Sequence, residues 1–223
     1  MHKDIKEDIH RGNLKYTMIS LFSSKVNILV IGAGKAALIK TKAFLSNGCN
    51  VNVIAKDVDE EFYKLDSKKI NIIKGEYNER LLKHNHVVVI AIDDDILIDS
   101  IKRSCEKLDK IYINCKNSRD GMAVLPLNFK SDEVFLGINT LRGNPKASKM
   151  LGNHVIDKVK EFDDFIKVTS IIRNNVKSIK EKKNEILDFI INDDFRYIVN
   201  KKKERLVLEL FYEKELVDKL FKD

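Results

Sequence analysis

Asn27-Ile28-Leu29-Val30-Ile31-Gly32-Ala33-Gly34-Lys35-Ala36-Ala37 is the stretch that decides the fold. An apolar strand runs straight into a turn of small residues, a helix-forming segment follows as far as Asn47-Gly48, and a second apolar strand runs from Val51 to Ala55. Strand, glycine-rich turn, helix and strand is the order of a dinucleotide-binding unit, and each small residue has a task in it. Gly32 permits the tight turn, Gly34 lets the main chain approach a pyrophosphate, and Ala37 lets the helix lie close to the sheet. The amides at a helix start face phosphates, so Gly32, Ala33, Gly34, Lys35 and Ala36 are the expected cofactor cradle. The alternative is a tight strand-to-helix connection with no ligand.

Outward from this turn the alternation continues. Strands are expected at 27–31, 51–55, 70–73, 86–91 and 111–115, with helices at about 35–47, 59–66 and 95–108 and a short helical piece near 79–83. This predicts an α/β fold, a Rossmann parallel sheet covered on both faces. The Val- and Ile-rich runs without strict alternation agree, because strands buried on both sides read that way. After Cys115 the grammar changes: Met122–Pro126 and Val134–Asn139 are two short strand candidates with no crossover helix between them. A small antiparallel element follows, whose edges need covering by the rest of the chain or by a second subunit. From Ala147 the period is helical, with Val155, Val159, Phe162, Ile166 and Thr169, then Ile179, Ile186 and Ile190, then Leu206, Leu210, Val217 and Leu220 as core-facing stripes. The expected organisation is a polar extension (1–15), an NAD-binding Rossmann domain (16–115), a small β dimerisation element (116–146) and a C-terminal helical domain (147–223).

Composition narrows the partners. With 43% hydrophobic and 34% charged residues, the 223-residue chain can bury a good core and a smaller one. No apolar run approaches the roughly 20 residues that span a bilayer. Residues 1–15 are charged throughout and lack the apolar region of a signal peptide, so a cytoplasmic protein is expected and a membrane partner is not. Cys49, Cys105 and Cys115 lie far apart with no ligand spacing, and His84 and His86 read as a surface turn, so no metal site is expected. Formal net charge is +7, and residues 100–150 hold ten Lys or Arg against five acids. That local field attracts an anion. Helix-turn-helix, zinc and aromatic RNA-binding patterns are missing, so a small polyanion is favoured over nucleic acid.

The end of the second strand, where NAD and NADP are told apart, reads Ala55-Lys56-Asp57. Asp57 can take ribose hydroxyls and Lys56 can approach a phosphate; NAD is favoured, because Lys is a flexible point charge and not a planar fork. Ile92 and Asp93, at the carboxyl edge of the fourth strand, are further cofactor candidates. Asp93-Asp94-Asp95 could hold Mg²⁺, but capping of the next helix is the favoured role.

Over roughly Tyr16 to Phe211 the chain resembles the precorrin-2 dehydrogenase family of sirohaem synthesis, whose members are short dehydrogenases or the amino-terminal half of multifunctional sirohaem synthases. The marks are Tyr16-Thr17-Met18-Ile19-Ser20-Leu21, Gly32–Ala37, Val89–Asp94, Ile113-Asn114-Cys115 and Gly137-Ile138-Asn139-Thr140-Leu141-Arg142-Gly143-Asn144-Pro145. The resemblance implies a homodimer that passes a hydride from precorrin-2 to NAD⁺ and forms sirohydrochlorin. Precorrin-2 carries eight carboxylates, which suits a cleft bordered by Lys116, Arg119, Arg142, Lys146 and Lys149. It further implies substrate contacts at Asn139, Arg142 and Lys146 and an active-site hydroxyl at Thr140, although Asn139 and Thr140 could equally cap the helix starting near Pro145. Members that also insert iron have an aspartate where this chain has Asn117, which cannot act as a base. Dehydrogenase-only members have an Asp-Gly pair like Asp120-Gly121. Asp120 is therefore the expected base or substrate-positioning acid, with a plain turn as its alternative role, and chelatase activity is expected to be weak. A bifunctional ferrochelatase and a non-catalytic dinucleotide-binding regulator are the competing readings.

Overall fold

The computed structural model describes residues 15–65, 68–179 and 181–222. The polar extension expected over 1–15 thus lies outside the described residues except at Lys15. Two compact units divide the chain, one of Thr17–Leu125 and one running on from Pro126.

The first unit is built on a parallel sheet of β1 (Asn27–Ile31), β2 (Asn50–Ala55), β3 (Ile70–Lys74), β4 (Val87–Ile90) and β5 (Ile111–Asn114), in the order β3-β2-β1-β4-β5. In register, Ile28 lies beside Val51 and Val87, and Ile31 beside Ile54 and Ile90. Helices α1 (Lys35–Ser46) and α2 (Asp95–Lys107) cover opposite faces. Ala37 and Phe44 of α1 pack with Val30, Val53 and Val89 on one side; Ile98, Ile101 and Cys105 of α2 pack with Leu29, Val88 and Ile90 on the other. Every residue of β4 is buried, which is why the strand sequence does not alternate. Each such side chain contributes about 1.5–3 kcal/mol relative to exposure. At the amino-terminal rim, buried Asn85 donates to the Leu81 carbonyl at 2.7 Å and accepts from Asn52 at 3.0 Å, so its polarity is satisfied on both sides.

The crossover after β2 departs from expectation. In place of a helix over 59–66 there is a single 3₁₀ turn, Glu60–Phe62, capped by the Asp59 carboxylate on the Glu61 amide. One turn suffices, because it already buries Phe62, and the Asp59 amide fastens the crossover to the Ala33 carbonyl at 3.2 Å. Asp66 of the expected helix lies outside the described residues.

In the second unit the expected strand over 122–126 is corrected. The ladder is β6 (Leu127–Lys130) against β7 (Phe135–Ile138), antiparallel, with Leu127 opposite Ile138. Residues 122–125 stay with the first unit: the Ala123 amide donates to the Tyr112 carbonyl at 3.0 Å, and Ala123 and Leu125 pack on that unit's core. Pro126 has no amide hydrogen for a ladder, so the strand begins after it. The hairpin turn is tied to α4 (Asp163–Asn175), whose Asp163 carboxylate accepts from the Ser131 hydroxyl at 2.7 Å and the Glu133 amide at 3.3 Å. Helix α3 (Pro145–Lys160) meets β6 at Gly152, where an added Cβ would lie 1.9 Å from the Phe129 ring.

Helices α4, α5 (Lys183–Ile190), α6 (Asp193–Asn200), α7 (Glu204–Phe211) and α8 (Lys214–Leu220) enclose Ile172, Ile186, Ile190, Phe195, Val199, Leu208, Val217 and Leu220. Two expected stripes change. The run from Val155 to Thr169 breaks at Phe162, the residue preceding α4, so it spans two helices. On α7 the pair Leu206 and Leu210 is exposed, whereas Leu208 and Tyr212 are buried. Residues two apart on a helix point roughly opposite ways, so burying one pair expels the other. Among the described residues no helix is long and apolar enough to cross a membrane.

Candidate active site

The strand order reverses between β1 and β4, and in such a sheet ligands bind in the crevice at the carboxyl ends of those strands. Gly32 sits there at φ +101°, and a Cβ on it would lie 2.2 Å from the Ala91 carbonyl oxygen at the end of β4. Only glycine fits. The turn is pinned on both sides, by the Gly32 amide on the Ile54 carbonyl at 2.9 Å and by the Ala33 carbonyl accepting from Asp59. Gly34 is the opposite case: nothing lies within 4 Å of where its Cβ would stand. Helix α1 starts there with no side-chain cap and no acid in its first turn, and its first internal bond runs from the Leu38 amide to the Gly34 carbonyl at 2.9 Å. The Lys35 and Ala36 amides therefore face open space at the positive end of a helix. A pyrophosphate supplies the acceptors they lack, so these residues fit a dinucleotide.

The neighbouring loops of the same sheet edge carry the other sequence-predicted cofactor residues. Lys56 pairs with Glu76, just past β3, at 2.9 Å, and the Glu76 hydrogen bond raises the Lys56 pKa. Asp57 follows, exposed. Of the acidic triplet, Asp94 caps α2 by accepting from the Leu97 amide at 3.0 Å. Lys116 spans from the loop after β5 to the Asp93 carbonyl at 3.0 Å and the Asp95 carboxylate at 2.6 Å. Its charge is thus engaged within the protein, where the sequence suggested a cation turned to substrate. Among the described residues no three His, Cys, Asp or Glu side chains gather as a metal set.

Beyond β5 lies a side-chain network. Asn117 caps a single turn, Ser118–Asp120, through the Arg119 amide. Asn114, buried at the strand end, accepts from the Lys116 amide at 3.0 Å and the Asn117 amide at 3.2 Å. Its amide group points at Asp120 Oδ2 from 3.4 Å, and Lys102 of α2 reaches the same oxygen at 2.6 Å. Asp120 raises the Lys102 pKa, so the ammonium stays charged. The Asp120-Gly121 pair is more than a loose turn: Gly121 is extended, and a Cβ on it would lie 2.9 Å from the Asn114 amide nitrogen. Close contact with β5 thereby fixes where Asp120 stands. Tyr112, on the same strand, bonds Glu106 at 2.8 Å, and burial first, then that carboxylate, pushes its pKa up to about 12. Burial likewise pushes Cys105 up to about 11, leaving it an inert core thiol.

In the second unit, Asn139, Thr140 and Arg142 lie on the turn between β7 and α3, and Lys146 lies in the first turn of α3. Thr140 Oγ1 accepts from the Asn144 amide at 2.6 Å, the Gly143 amide returns to the Thr140 carbonyl at 2.9 Å, and Gly143 has φ +68°. The helix cap here is neither Asn139 nor Thr140 but Asn144, which accepts from the Ala147 amide at 3.1 Å. Arg142 and Lys146 are exposed.

The structure thus gathers Gly32–Ala36, Asp57, Ile92, Asp93, Asn117 and Asp120 along one sheet edge and Asn139–Lys146 between β7 and the start of α3. Sequence reasoning missed Lys102 and Glu76. A signal for Lys102 exists: it lies four residues after Ile98 and beside Ile101, in the flank of the apolar stripe of α2, where a lysine needs a reason.

A family model described as "Putative NAD(P)-binding" matches residues 19–127. The "Precorrin-2 dehydrogenase" of Priestia megaterium is 24% identical over 185 residues, covering 81% of this chain and 91% of that protein. The "Putative precorrin-2 dehydrogenase" of Methanocaldococcus jannaschii is 26% identical over 183 residues, covering 76% and 87%. The solved structure of "SirC, precorrin-2 dehydrogenase" shares the fold at a TM-score of 0.67 and 22% identity, over 88% of this chain and 100% of that one. Over most of its length the chain is thus similar to proteins named precorrin-2 dehydrogenase, and over residues 19–127 to an NAD(P)-binding model.

Proposed function

We propose that the chain is an NAD-dependent precorrin-2 dehydrogenase, oxidising a polycarboxylate tetrapyrrole to sirohydrochlorin. The observation that carries this is the glycine turn at the switch point, open over Gly34 and closed under Gly32, in a chain whose homologues over most of its length carry that name. Gly32, Ala33 and Gly34 with the Lys35 and Ala36 amides hold the pyrophosphate, Asp57 takes ribose hydroxyls, and Ile92 and Asp93 flank the crevice. Lys56, already paired with Glu76, offers little to a 2′-phosphate, which favours NAD over NADP. Bound NAD⁺ supplies the two-electron acceptor. Asp120 takes the proton that leaves the macrocycle with each hydride, with Asn117 fixing its turn. Asn139, Thr140, Arg142 and Lys146 are the proposed substrate contacts, the two cations meeting carboxylates and the Thr140 hydroxyl donating while its oxygen still accepts from Asn144.

A homodimer fits the small sheet. Among the described residues each strand of the β6–β7 ladder pairs along one edge only, and Leu127 and Phe135 stand exposed beside it, as a surface awaiting a second copy does. A cytoplasmic location is proposed with it, on the charged character of the chain.

Purified protein with precorrin-2 and NAD⁺ should form NADH and sirohydrochlorin in equal amounts. Tight NAD binding without turnover would replace the enzyme with a nucleotide-binding regulator, and iron insertion into sirohydrochlorin would add a second activity.

A further inference from the structure

Asp120 is held in a way that the dehydrogenase reading, on which the following rests, does not itself require. Both of its hydrogen-bond donors converge on one oxygen: Lys102 Nζ stands 2.6 Å and Asn114 Nδ2 3.4 Å from Oδ2. Among the described residues Oδ1 accepts no hydrogen bond. A carboxylate on a short turn otherwise rotates freely about its last torsion. Anchoring one oxygen fixes the direction of the other's lone pairs.

The anchor is itself well placed. Only 16% of the Lys102 side chain is exposed, against 44% of Asp120, so the lysine stem is packed and its head has little freedom to leave. Lys102 also approaches Asp99 at 3.4 Å, one turn earlier on α2, but the shorter contact is to Asp120. Glu106 is turned to the Tyr112 hydroxyl and Lys116 to Asp95, so neither competes for this pair. The lysine comes from α2 and the turn follows β5, so the contact joins two elements and is the shorter of the two side-chain bonds to Asp120.

We infer that Lys102 is a positioning residue for the reaction: it grips Asp120 Oδ2 and presents Oδ1 as the proton acceptor. It touches neither cofactor nor substrate and acts through Asp120 alone. Such a role predicts loss of turnover without loss of binding, and no effect once the carboxylate is gone.

The test is a double-mutant cycle on the full chain, reading kcat and the KM for NAD⁺ and for precorrin-2 separately. Lys102→Met should lower kcat about tenfold, the scale on which misplacing a reacting group is felt, with both KM values unchanged. Lys102→Arg, which keeps a charged donor, should recover most of the loss. In an Asp120→Asn background, itself down by about 100-fold, Lys102→Met should change nothing further. A kcat unaltered in folded Lys102→Met, or an equal additional loss in the Asp120→Asn background, overturns the inference. If Lys102→Met does not fold, Lys102→Gln makes the same reading. A wild-type protein that forms no NADH fails at the proposed function instead, whereas an active wild type with an indifferent Lys102 fails only here.

Discussion

Two loops at the same edge of the sheet are built by opposite means. The β1–α1 turn works with main chain alone: Gly32 lies against Ala91, Gly34 faces open space, and α1 begins without a side-chain cap. The loop after β5 works with side chains, through Asn114, Asn117, Asp120 and, from α2, Lys102. The difference suits what each is proposed to meet. A pyrophosphate is the same in every dinucleotide and is recognised by amides whose positions the fold already sets. A proton leaves one particular atom, and receiving it takes a carboxylate aimed from outside its own loop.

The sharpest way to break this contrast is at Gly32. Gly32→Ala places a methyl 2.2 Å from a backbone oxygen and forces an L residue to φ +101°, so neither the turn nor β4 can keep its place. The expected cost is on the order of 2–4 kcal/mol of stability, seen in denaturant melts, together with loss of measurable NAD binding in calorimetry. Gly34→Ala should leave stability nearly unchanged and weaken only the nucleotide, because its Cβ meets no protein atom. If both substitutions destabilise equally, the turn is not divided into a structural and a ligand-facing glycine.

The same contrast explains what the sequence could disclose. The strand, turn and helix around Gly32 are local, with every determinant inside about a dozen consecutive residues, and periodicity reads such a unit well. The network at Asp120 is assembled from residues 102, 114, 117 and 120, so its central contact crosses from helix to loop and leaves no spacing rule behind. Asp120 itself was legible only as an Asp-Gly pair with two readings, and the close packing of Gly121 on Asn114, which holds that pair against β5, leaves no mark in the sequence. Strand assignment failed at 122–126 for a related reason. An extended apolar segment ending in Pro126 looks like a strand, but Ala123 and Leu125 are spent on the core of the preceding sheet, and the hairpin starts with Leu127. On α7 the stripes through Leu206 and through Leu208 were equally apolar, and only the packed core of the helical unit chose between them.

A smaller effect distinguishes the two helices that begin at this edge. Helix α2 is capped by Asp94 on the Leu97 amide, whereas α1 is left open. Asp94→Ala should cost about 1 kcal/mol in thermal or denaturant unfolding, with NAD affinity unaltered. Weakened NAD binding at unchanged stability would instead make Asp94 a cofactor contact, and the second helix would join the first as part of the nucleotide site.

The finest test asks whether side chains take over again at the adenosine end of the cofactor, beyond the reach of the glycine turn. There the Lys56–Glu76 pair joins the ends of β2 and β3, with both side chains largely exposed. Glu76 pairs with the lysine that directly follows β2, close to where a 2′-phosphate is proposed to lie, so the pair should select against NADP more by withholding Lys56 than by binding NAD. Glu76→Gln releases that charge. The ratio of kcat/KM for NADP⁺ to that for NAD⁺ should then rise about two- to fivefold at low ionic strength, the scale of an exposed ion pair, with kcat/KM for NAD⁺ itself little changed. Raising the salt should shrink the gain, because the attraction between a solvated ammonium and a phosphate is screened over about 10 Å at 0.1 M. A ratio that does not move at either salt would place the ribose away from this pair and leave its reading to Asp57.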